Sequence, residues 1–230
     1  MKTIGIVGGM SWESTKVYYE IINEQVKQKL GGFHSCKCLI YSVDFAEIQK
    51  LQHEDKWEEL DILMADAAKR LQIAGADFIV LATNTMHLCV EAIKEAVEIP
   101  ILHIAQATSS AIINKNINTV ALLGTKFTME KDFYKSILTK NNIEVITPNE
   151  QERDIIHNII FGELVQGIIK DESRNKFMAI ISRLQLQGAE GVILGCTEIP
   201  LLISSDDVEI EVFNTTRIHA EKAVEMALKE

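Results

Sequence analysis

The residues best placed for chemistry lie at the end of one short apolar run, GVILGCTE at 191–198. A continuous apolar stretch of this length, bounded by turn residues, reads as a parallel strand covered on both faces. Ligands of open α/β sheets sit beyond the carboxyl ends of such strands, which is where Cys196 falls. Gly195 leaves room for a neighbouring group to approach the backbone closely. A helix is expected to begin directly after the cysteine. Its free N–H groups would favour a thiolate, so the thiol pKa is expected to be lowered. Glu198 has two readings. It orients Cys196 or acts as a base behind it, or it sits in a first helical turn where a carboxylate suits the dipole.

The same pattern is written once before. RLQIAGADFIVLATNT begins at 70 and RLQLQGAEGVILGCTE at 183, a constant offset of 113, with Arg, Leu, Gln, Gly, Ala and Leu repeating in place. A second echo, KTIGIVGG at 2–9 against NTVALLGT at 118–125, has an offset of 116. Two matched pairs in the same order imply a duplicated unit, and two copies of this length mean two like domains rather than a solenoid. Cys196 then falls opposite Thr83.

If the halves pack about a pseudo-two-fold axis, Thr83 and Cys196 reach one cleft from opposite sides. Two proton-handling groups on either face of a planar intermediate suit inversion of a stereocentre. An α-proton beside a carboxylate is very weakly acidic. Removing it needs a desolvated base and N–H or O–H donors aimed at the developing enediolate. Turns rich in Gly, Ser, Thr and Asn supply such donors at Met10-Ser11, Asn84-Thr85, Thr125 to Thr128, and Thr197.

Composition narrows the partners. The 230-residue chain has a net charge of −10 and no basic block, which argues against nucleic acid or an anionic membrane as the main partner. No stretch approaches the ~20 apolar residues of a membrane span. Met1-Lys2 runs straight into strand-like sequence without a signal-peptide layout, so a cytoplasmic location is expected. Cys36 and Cys38 share one face of a strand, but with no second Cys or His pair at matching spacing a zinc site is not expected. Cys89 reads as a small core residue. The Gly8-Gly9 turn lacks the G-x-G-x-x-G and GK[ST] patterns, so no nucleotide site is expected. Met10 and Ser11 instead offer backbone N–H groups to a carboxylate.

The elements that must position these groups alternate strand and helix. Strands are predicted at 3–7, 36–43, 77–82, 119–123, 143–146, 191–195 and 208–213, with a short edge strand after Pro100. Helices are predicted from Ser11 to Gly31, at 56–74, from the end of the 83–87 turn to before Pro100, at 105–115, from 130 to 140, near 149–169, at 173–187 and at 215–229. Asp44 is read as a helix N-cap. His87 either touches a ligand or bonds nearby backbone. Lys126, the one Lys or Arg inside a motif loop, either pairs with a substrate carboxylate or points to solvent. The alternation makes this an α/β protein with parallel sheets. The domains expected are 1–102 with 214–230, the closing helix folding back on the first domain, and 103–213.

The motifs GGMSWEST at 8–15, SVDF at 42–45, TNTMH at 83–87, LLGTKFTME at 122–130 and GCTEIP at 195–200 resemble the aspartate/glutamate racemase family along the whole chain. The resemblance implies two flavodoxin-like domains, cofactor-independent racemisation of acidic amino acids without a metal, a catalytic cysteine from each domain, and a homodimer. By position, Cys196 is one catalytic residue and Thr83 stands where the other cysteine would be. Substrate contacts would fall to Met10, Gln52, Asn84, Thr85, Thr125, Thr128 and Thr197. The threonine resembles a subgroup associated with L-aspartate and L-glutamate. That implies abstraction from the L-enantiomer by Cys196 and reprotonation from the Thr83 side. A threonine hydroxyl is a poor base at neutral pH beside a thiol of pKa about 8.5. Two other functions therefore stay open: a decarboxylase or cis–trans isomerase on the same scaffold, and a non-catalytic protein that binds an acidic amino acid.

Overall fold

The computed structural model describes residues 1–229. The chain forms two compact units, one comprising Met1–Ile104 with the segment from His219 onward, the other Ala105–Ile218.

In the first unit, β1 (Ile4–Gly8), β2 (Cys38–Ser42), β3 (Phe78–Leu81) and β4 (Ile101–Leu102) form a sheet of order β2-β1-β3-β4. Every pairing is parallel, with Ile4 beside both Cys38 and Phe78. β1 and β3 are buried along their whole length. The two-residue period of a strand sends alternate side chains to opposite faces. Ile4, Ile6, Phe78 and Val80 accordingly join one apolar cluster, while Val7, Ile79 and Leu81 join another. The first cluster is closed by α1 (Trp12–Leu30) through Tyr18, Ile22 and Val26, and by the C-terminal helix through Ala220, Ala223 and Val224. The second is closed by α2 (Phe45–His53), α3 (Trp57–Ile73) and α4 (Val90–Ala96).

Side-chain caps set two of these helix starts. Ser11 accepts a hydrogen bond from the Ser14 N–H at α1, and Asp44 accepts one from the Ala46 N–H at α2. Asp44 is thus the cap that its sequence context suggests. The helix it starts, Phe45–His53, has only nine residues, and its cap marked its start more clearly than its periodicity marked its extent.

The second unit repeats the plan after α5 (Ile104–Asn114). β5 (Thr119–Gly124), β6 (Glu144–Ile146), β7 (Gly191–Gly195) and β8 (Glu211–Asn214) form a parallel sheet of order β6-β5-β7-β8, the order of the first sheet. Ala121, Leu123, Val192 and Leu194 meet α8 (Glu150–Gly162) and α9 (Asp171–Leu186) in one apolar cluster. The segment after β5, read from sequence as an open loop, contains the short helix α6 (Lys126–Glu130), capped by Thr125. α7 (Asp132–Lys140) and α10 (Thr215–Leu228) complete the helices. No helix among the described residues is long and apolar enough to cross a membrane.

Candidate active site

Strand ends deliver the motif residues in each unit. In the first, β1 and β3 run side by side with Val7 opposite Leu81, so the Gly9–Ser11 turn and the Thr83–Thr85 segment leave the same edge of the sheet. Met10, Thr83, Asn84 and Thr85 are all buried there. Gly9, at φ +90°, fits a turn in which an added Cβ would collide with the Val43 carbonyl oxygen. Gln52 joins this group from α2: it is buried, and its amide donates to the Met86 sulfur at 3.0 Å.

In the second unit, Gly124 and Gly195 are register partners at the ends of β5 and β7. A Cβ on Gly195 would lie 2.8 Å from the Leu123 carbonyl oxygen, so the close approach anticipated from sequence is built between these two strand ends. The gap also admits Thr128, whose methyl would be 3.2 Å from that Cβ. Thr125 accepts from the Thr128 N–H, and their hydroxyl oxygens lie 3.3 Å apart. Thr125 and Thr128 therefore stand beside the strand end that carries Cys196 and Thr197.

Cys196 is half-buried, and its thiol donates to Glu198 Oε2 at 2.9 Å. The Thr197 hydroxyl donates to the same oxygen at 2.7 Å. Burial, and then the neighbouring Glu198 carboxylate, hold the Cys196 thiol well above its ordinary value. This reverses the expectation of a lowered pKa. β7 is followed not by a long helix but by a single 3-10 turn, Ile199–Leu201, so little dipole faces the sulfur, and the acidic side chain folds back onto it. At 2.9 Å, two negative charges would repel by roughly 6 kcal/mol at an effective dielectric constant near 20. The sulfur therefore rests as a thiol beside Glu198.

Two other sequence candidates resolve to local roles. The Lys126 ammonium pairs with Asp154 of α8, and that bond raises its pKa. His87 bonds backbone on both ring nitrogens, the Thr83 carbonyl oxygen on one side and the Ile104 N–H on the other. It lies against His103 and His219, with ring centroids 4.6 and 5.7 Å away. This cluster carries no local sequence signal, since His219 is remote in the chain.

The profile of the Asp/Glu/Hydantoin racemase family matches residues 7–223. The chain belongs to that family. Over nearly the whole chain the match is to amino-acid racemases, which are isomerases. A candidate Asp/Glu racemase of known structure from Yersinia pestis is 48% identical with a TM-score of 0.94, each chain covered completely. An aspartate racemase homologue from Pyrococcus horikoshii OT3 is 38% identical over the whole of both chains, with a TM-score of 0.87. The broad specificity amino-acid racemase RacX of Bacillus subtilis is 25% identical over 226 residues, 96% of each protein. An arylmalonate decarboxylase shares the racemase fold at 13% identity, with a TM-score of 0.58 and coverage of 99% of this chain and 94% of that one. The two like α/β units expected from the internal repeat are the two parallel sheets of this fold.

Proposed function

We propose that this racemase interconverts the enantiomers of aspartate or glutamate, with Cys196 taking the α-proton of the L-form and a proton returning from the Thr83 side. The observation that carries the reading is the Cys196 thiol donating to Glu198 Oε2 at 2.9 Å at the end of β7. A carbon acid needs a base that stays strong out of water yet is not solvated away. A thiol that passes its proton to an adjoining carboxylate, as its sulfur takes the proton from Cα, meets that need, and the pair ends with both protons. Thr197, bound to the same carboxylate oxygen, holds Glu198 against the sulfur.

Completion of the cycle falls to Thr83, which follows β3 as Cys196 follows β7. Its hydroxyl donates more readily than it abstracts. It is therefore suited to protonating the second face of an enediolate, with a proton recovered afterwards from solvent. Asn84, Thr85, Thr125 and Thr128, all buried, are the proposed donors to substrate oxygens, with Met10 and Gln52 as further proposed contacts. In this reading the chemistry is carried by side chains alone, the enzyme works without an added cofactor, and it acts as a homodimer in the cytoplasm.

The test is NMR of L-aspartate and of L-glutamate in D₂O, following loss of the α-proton beside chiral analysis of the product. Exchange together with appearance of the D-form, both abolished in Cys196→Ala, is the expected result. Thr83 in place of a second thiol favours one other outcome. Exchange without inversion would point to a carbanion enzyme that protonates a single face, as a decarboxylase does. No exchange with either amino acid would refute both.

A further inference from the structure

His87 has two backbone partners, and together they dictate its proton. Its Nδ1 lies 2.8 Å from the Thr83 carbonyl oxygen, which can only accept, so Nδ1 carries the hydrogen. Its Nε2 lies 3.1 Å from the Ile104 nitrogen, a backbone N–H that can only donate, so Nε2 must offer a lone pair. Only the neutral Nδ1–H tautomer satisfies both contacts. Burial, followed by the neighbouring His103 and His219, holds the His87 pKa well below its ordinary value.

The cluster around it is tied down by the same logic. His219 donates from Nε2 to the Leu102 carbonyl at 2.8 Å and accepts at Nδ1 from the Tyr18 hydroxyl at 2.9 Å. Leu102 and Ile104, where the chain leaves β4 and enters α5, are thus each held by a buried histidine. Through His87 that anchored segment reaches the Thr83 carbonyl. The sheet ladder reaches Ala82, whose N–H donates to the Val7 carbonyl oxygen at 2.9 Å, and ends one residue short of Thr83. A hydrogen bond from the side chain four residues on takes that part.

We propose that His87 is a positioning residue for Thr83: its Nδ1–H fixes the Thr83 carbonyl against the Leu102–Ile104 segment, and so sets the aim of the Thr83 hydroxyl in the second proton step. The proposal rests on the racemase reading above, with Thr83 serving the face opposite Cys196. It predicts that a fault at His87 uncouples the two halves of the reaction. α-Proton exchange by Cys196 persists, while inversion falters.

Two variants separate the contacts. His87→Asn keeps a donor at the position of Nδ1 and loses the reach to Ile104, whereas His87→Gln reaches the Nε2 position and loses the donor to Thr83. In D₂O with L-substrate, His87→Gln is expected to keep α-deuterium incorporation within about threefold of wild type while formation of the D-enantiomer drops tenfold or more. His87→Asn should restore most of the inversion. Loss of exchange and inversion in equal proportion, or equal behaviour of the two variants, would overturn the proposal and leave His87 a packing residue. Absence of exchange in the wild type would instead sink the racemase reading, and this proposal with it. A second measurement stands apart from turnover and from whether the variants fold. Long-range ¹H–¹⁵N correlation on the wild-type protein should assign His87 as the Nδ1–H tautomer, and an Nε2–H tautomer would overturn the inference outright.

Discussion

Replacing Glu198 with Gln should move two properties of Cys196 in opposite directions. The carboxylate plays two parts at the sulfur. It opposes a thiolate, by the roughly 6 kcal/mol that two unit charges feel at 2.9 Å and an effective dielectric constant near 20. It also accepts the thiol proton when the sulfur turns to Cα. Gln removes both at nearly constant shape. Losing the repulsion favours the thiolate, because burial is then the chief force holding the thiol pKa up. Iodoacetamide should therefore alkylate Cys196 faster in Glu198→Gln than in wild type at any pH from 7 to 9. Losing the proton acceptor removes general-base assistance, worth about 10²–10⁴-fold, so racemisation at pH 7 should fall by about 10²–10³-fold with KM nearly unchanged. As pH rises the variant should recover part of this, since solvent then supplies the deprotonation. Wild-type alkylation should keep rising beyond pH 8.5, the ordinary thiol value. Peptide mapping distinguishes Cys196 from Cys36, Cys38 and Cys89. The reasoning fails if alkylation and racemisation slow together, or if the variant turns over like wild type at pH 7.

Three further outcomes are expected. Thr83→Cys supplies a second thiol and should raise turnover about tenfold or more; because the equilibrium constant between enantiomers is one, kcat/KM must rise equally in both directions, and an unchanged rate in a chiral assay would argue against a proton role for Thr83. Gly195→Ala brings a methyl to 2.8 Å from the Leu123 carbonyl oxygen, so it should destabilise the second unit by about 1–3 kcal/mol, read as a lower urea midpoint. Tyr18→Phe withdraws the hydroxyl that donates to the buried His219 Nδ1 and should cost about 1–3 kcal/mol, seen as a lower thermal midpoint with α-proton exchange retained.

Much of the fold that carries the candidate site was legible before any tertiary structure. The continuous apolar run ending in Gly195-Cys196 reads as a strand buried on both faces, and β7 is one. The offset of 113 between two similar segments announced two like sheets, and both have the same strand order. Ser11 and Asp44 read as caps because short polar side chains before a periodic segment satisfy free N–H groups. Short helices were harder to read. α6 has five residues, too few for a 3.6-residue period to stand out, and α2, announced by its cap, has only nine.

What the sequence by itself determined is which side chains stand at the carboxyl ends of β3 and β7, since strand period and turn residues are local properties. Only the tertiary structure decided their protonation. Cys196 was expected to be activated by a helix start, and instead Glu198 folds back onto its thiol and raises the pKa. His87 was ambiguous until the Thr83 carbonyl and the Ile104 N–H were seen on its two nitrogens. A pKa or a tautomer depends on desolvation and on which polar atoms meet within a few ångströms. Those meetings join residues far apart in the chain, His219 with Tyr18 and Leu102 among them, and no local pattern of residue types encodes them.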